Sequence, residues 1–130
     1  MGRWMEALNE KGEVEYEMAP NFLIYCAKRF PKNDRNHFPI LSNLDLNSDK
    51  WIDESQLFNP SQISKLKNEI EQVQKILNKE VFVPNLNIEN VLKYWITNEY
   101  KLENINSDIR TLLAFFEKSI KLNLEIKVYL

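Results

Sequence analysis

Apolar and polar residues alternate most clearly in two short stretches, one early and one late in the chain. Glu13, Glu15 and Glu17 interleave with Val14, Tyr16 and Met18; Leu124, Ile126, Val128 and Leu130 interleave with Glu125, Lys127 and Tyr129. A period of two predicts half-buried strands over 13–18 and 124–130. Between them the period lengthens to that of a helix. Pro20 opens a stretch with Phe22, Leu23, Cys26 and Phe30 on one face, and Pro31 stops it. Residues 20–30 are predicted helical, with a strand over 22–26 as the rival.

The clearest helix follows Asn59, which can cap it, with Pro60 at the first helical position and Gln62 at the third. Ile63, Leu66, Ile70, Val73 and Leu77 then recur at three- and four-residue spacing, Glu71 and Lys75 form an i,i+4 pair, and Asn78 is a stop. Glu80 to Val83 reads as a short strand ended by Pro84. Asn87 can cap a second helix carrying Ile88, Val91, Leu92, Trp95 and Ile96 on one stripe. After a polar break at Asn104-Ile105-Asn106, Asn106 or Ser107 caps a third helix, with Asp108 in its first turn. Its inward face is Ile109, Leu112, Leu113, Phe116 and Ile120.

Residues 31–59 read as one long irregular segment rich in Pro, Asn and Asp. Its apolar residues imply packing on the core, with Phe38 and Trp51 as anchors. The expected architecture is α+β: one domain over 1–130, with three or four helices packed on a small sheet that includes the N-terminal and C-terminal strands. No internal repeat or second-domain linker is visible.

Composition narrows the function classes. The chain is 44% hydrophobic and 28% charged, as globular domains are, and its net charge is -2. Seven basic and ten acidic residues fall in 1–60, against ten and nine in 61–130. Nucleic-acid binders carry a basic excess or stripe, so no nucleic-acid partner is expected. Lys28, Arg29, Lys32 and Arg35 form a small basic cluster that reads as a solvated helix end. Cys26 is the one cysteine, which excludes an intrachain disulfide and suits a reducing compartment. No apolar run approaches the ~20 residues of a membrane span, and the first residues lack a secretory pattern. The expected location is the cytoplasm. Abundant Asn, Lys and Ile fit an A/T-rich bacterial genome.

Motifs for catalysis are sparse. Gly2 and Gly12 are the only glycines, which removes phosphate-cradling loops, the dinucleotide fingerprint and the nucleophile elbow. No cofactor is expected. His37 is the only histidine, so histidine metal clusters are excluded, although His37 beside a carboxylate could serve as a general base. The segment Asp45 to Gln56 resembles an EF-hand calcium loop, with Asp45, Asn47, Asp49 and Asp53 at ligand positions. Lys50 stands where the turn wants glycine and Gln56 where the bidentate glutamate belongs, so an Asx-rich turn competes with a calcium site.

Binding chemistry is better represented. Glu13, Glu15 and Glu17 on one strand face either meet a basic partner or keep an edge strand from pairing. Tyr94 and Tyr100 are candidates for an interface, whereas Trp95 belongs to the apolar stripe. Phe38-Pro39-Ile40-Leu41-Ser42-Asn43-Leu44-Asp45, followed by Asp49, Phe58-Asn59 and an amphipathic helix, resembles small uncharacterised bacterial proteins with an F-P-L-L-x-x-[LI]-D-x-x-x-D segment. The likeness covers residues 38–78. It implies a terminal strand and, loosely, an immunity protein of a toxin system, and it carries no functional residues onto this chain. The sequence therefore reads first as a protein-binding module, toxin-immunity or inhibitor-like. Its acidic half, including Glu13, Glu15, Glu17, Asp45, Asp49 and Asp53, would face a basic partner. A calcium or small-ligand domain over Asp45–Asp53 and an enzyme using His37 are the alternatives.

Overall fold

A computed structural model describes residues 4–29, 38–44, 56–81 and 96–129. Among these, strands β1 (Trp4–Leu8) and β2 (Val14–Met18) precede helix α1 (Asn21–Arg29) and a short 3-10 turn (Leu41–Asn43). Strand β3 (Gln56–Phe58), helices α2 (Pro60–Leu77) and α3 (Leu102–Lys121), and strand β4 (Glu125–Tyr129) complete the order. The strands form one antiparallel sheet in the order β2-β1-β4-β3. The fold is α+β, as the alternation of periods indicated, and strands near both termini lie in the sheet.

Register decides which side chains face the helices. Met5 lies opposite Met18 and Val128, and Ala7 opposite Tyr16 and Ile126. Met5, Ala7, Ile126 and Val128 are buried, and they share a core with Ile63, Leu66, Ile70, Val73, Ile105, Ile109, Leu112 and Phe116 of α2 and α3. The opposite face carries Trp4, Glu6 and Leu8 of β1, Lys127 and Tyr129 of β4, and Leu57 of β3.

Local chemistry sets the helix boundaries. The Asn59 side chain accepts from the Gln62 N–H at 2.9 Å, and the Gln62 side chain accepts from the Asn59 N–H at 2.9 Å, a complete capping box. α2 ends with Lys79 at φ 57°, while the Glu80 N–H reaches back to the Lys75 carbonyl at 2.8 Å. α3 ends the same way, with Asn123 at φ 55° and the Leu124 N–H on the Ser119 carbonyl at 2.8 Å. Both are Schellman closures, which satisfy carbonyls the last turn would leave bare. Glu80 and Val81 are not in a strand, because Glu80 is committed to this closure.

Three further points depart from expectation. β1 and β3 were not legible as strands. α3 begins at Leu102, so the polar run Asn104-Ile105-Asn106 lies inside the helix. Ile105 is buried one turn before Ile109, and that packing outweighs the weak helix propensity of asparagine. Glu71 pairs with Lys67 at 2.8 Å, one turn before it, because Lys67 also reaches Glu117 of α3 at 3.5 Å. The helix expected from Asn87 lies outside the described residues apart from Ile96, which is not helical.

The 38–44 stretch does pack on the core. Phe38, Leu41 and Leu44 are buried, and the Glu69 carboxylate of α2 accepts the N–H groups of Ile40 and Leu41 at 3.0 and 3.1 Å. Trp51 lies outside the described residues.

Candidate protein-binding surface

β2 lies at one end of the strand order, paired only with β1 among the described residues. The turn joining the two is built around Asn9. Its Oδ1 accepts from the N–H groups of Lys11 and Glu13 at 2.9 and 3.0 Å, and its carbonyl accepts from the Gly12 N–H at 2.9 Å. Gly12 takes φ 77°, the left-handed geometry that closes such a turn and that glycine adopts without steric cost. The Asn9 amide then donates to Glu15 Oε1 at 2.8 Å, tying the turn to the acidic strand.

Glu13, Glu15 and Glu17 are all exposed, as the sequence led us to expect, but they do not form a simple row. Glu17 lies opposite Glu6 and Tyr16 opposite Ala7, whereas Val14, not Glu15, lies opposite Leu8. Glu15 is thus the extra residue of a β-bulge, and the alternation slips by one beyond it. The slip puts Val14 on the Glu6 and Leu8 face and leaves it 48% exposed.

Tyr16 anchors this edge to the layer beneath. Ser119 Oγ donates to the Phe115 carbonyl at 2.8 Å, so the Tyr16 hydroxyl is the donor in its 2.8 Å contact with Ser119 Oγ. The Tyr16 ring meets Phe115 edge-on with centroids 5.0 Å apart, and Lys118 Nζ sits 4.3 Å from the ring centroid. Burial first, and the nearby Glu15 carboxylate after it, raise the Tyr16 pKa.

Tyr100 belongs to a different place. Its ring packs against Tyr25 with centroids 4.7 Å apart, and its hydroxyl donates to Asp108 Oδ2. Burial, then Asp108, push its pKa well up. Asp108 precedes Ser119 by eleven residues on α3; at about 1.5 Å per residue that is roughly 16 Å along the helix. Tyr100 is therefore bound into the structure at the far end of α3 and does not join the glutamates.

Asp45, Asp49, Asp53, Tyr94 and His37 lie outside the described residues. Among the described residues no group of three or more His, Cys, Asp or Glu side chains could hold a metal ion. Cys26 is buried in the core. No helix among the described residues is long and apolar enough to cross a membrane. Sequence reasoning missed the outward face of the sheet. There Trp4 stacks on Tyr129 with centroids 4.8 Å apart and donates from Nε1 to Glu6 Oε1 at 2.8 Å. In comparison with known proteins, the chain matches no family model, no curated protein and no solved structure.

Proposed function

We propose that this protein is a protein-binding module that receives a basic partner along the acidic β2 edge, in the manner of a toxin-immunity or inhibitor protein. The observation that carries the reading is the exposure of Glu13, Glu15 and Glu17 on a strand at the end of the sheet. Rigidity supports it. The Asn9 turn fixes one end of the strand, and Tyr16 ties its middle to Ser119. A preorganised acidic surface binds with less ordering cost than a loose one. Charge of one sign speeds encounter with a partner of the other and excludes acidic competitors.

The test is affinity capture from the source cells, followed by binding measurements on the captured partner. The partner should be basic where it touches β2, and the dissociation constant should rise as salt screens exposed charges. Glu15→Lys should weaken the complex about tenfold, the equivalent of about 1.4 kcal/mol. A complex indifferent to both salt and Glu15→Lys would end this reading. If the partner is a toxin encoded beside this gene, co-expression should protect cells from it and the Glu15→Lys variant should protect less.

A further inference from the structure

We propose that the outward face of the sheet docks a second copy of this chain, related by a two-fold axis that runs along the strands between β1 and β4. The solvent face of an antiparallel sheet ordinarily alternates to polar residues. Here Trp4, Leu8 and Tyr129 are only half-buried on that face, and Val14 and Leu57 are 48% and 53% exposed. Aromatic residues in such positions are the chemistry of interface centres. Nothing in the β2-edge reading uses them, since that reading concerns a different partner.

Charge complementarity selects the occupant and the axis. The register places Glu17, Glu6, Lys127 and Leu57 in one row across β2, β1, β4 and β3. A two-fold axis perpendicular to the strands through this row would lay each strand over its own copy. Glu6 would then face Glu6, Glu17 face Glu17 and Lys127 face Lys127, all like charges. An axis along the strands reverses the order instead, so Glu6 faces Lys127 of the other copy and Lys127 faces its Glu6. The neighbouring row, Trp4 and Tyr129, then meets Tyr129 and Trp4. Two sheets packed face to face stand about 10 Å apart with a rotation of about 30°, a gap that glutamate and lysine side chains can span. At the centre of these two rows the contact is self-complementary, as a closed dimer requires, while Leu8 meets Glu125 of the other copy.

The same axis places Leu57 across from Glu17 of the other copy, which yields a test with opposite signs. Sedimentation of the purified full chain should show a reversible dimer. Leu57→Lys should tighten it and Leu57→Glu loosen it, each by several-fold. Glu6→Lys or Lys127→Glu alone should give monomer, and the two together should restore the dimer. A chain that stays monomeric, or a dimer that both Leu57 variants shift in the same direction, overturns the proposal. If either charge reversal prevents folding, the Leu57 pair decides alone, because that position is exposed on a terminal strand.

Discussion

Gly12 and Lys79 share a left-handed backbone but not the freedom to adopt it: φ is 77° at the first and 57° at the second. A Cβ built on Gly12 meets nothing within 4 Å, so a substitution there costs backbone energy alone. Gly12→Ala should lower stability by about 1 kcal/mol, and Lys79→Gly should raise it by about 0.5–1 kcal/mol, both read from urea unfolding midpoints. Opposite signs at two such similar positions would show that the backbone, not the side chain, sets the cost. Tyr100 offers a second test at this scale. Burial and then Asp108 hold its hydroxyl above the ordinary tyrosine value near 10, so as pH rises the unfolded chain loses that proton first. The contribution of the neutral hydroxyl is whole below about pH 10 and is lost progressively above it. Tyr100→Phe should flatten the alkaline decline of stability. Parallel curves for the two chains would refute that account.

Helix α2 was legible almost to the residue because its signals are local. Asn59, Pro60 and Gln62 sit within one turn, and the inward residues repeat at helical spacing. Asn59→Ala should remove the bond that the Asn59 side chain accepts from the Gln62 N–H and cost about 1 kcal/mol, measured by thermal or urea unfolding. The first turn of α3 was not legible, because Asn106 is accommodated by a partner distant in sequence. Asn106 exchanges amide hydrogen bonds of 2.9 and 3.1 Å with Asn78 at the end of α2. β1 was hidden for another reason: Met5, Ala7 and Leu8 are good helix formers, and only pairing with both β2 and β4 makes them a strand. β3 has three residues, too few for a period to show. Of the candidate surface, the acidic positions could be read directly, whereas the bulge at Glu15 could not, since a bulge is a property of two strands at once. The Tyr16 to Ser119 bond, which spans 103 positions, left no trace in the sequence.

On the scale of the molecule, the sheet is held together by its ends. β4 sits between β1 and β3 and pairs with both. Its Ile126 and Val128 are buried against the helices. Deleting 124–130 should therefore abolish the cooperative unfolding transition rather than lower its midpoint, as circular dichroism in urea would show. A truncated chain that still unfolds in one sharp step would contradict this.

The place of β4 also bears on the order of events at the ribosome. Among the described residues, until 125–129 leave the exit tunnel β1 has a partner on one side only and β3 has none in the sheet. The nascent chain must wait with its β1–β2 hairpin and helices unsealed, so the sheet closes only once β4 has emerged.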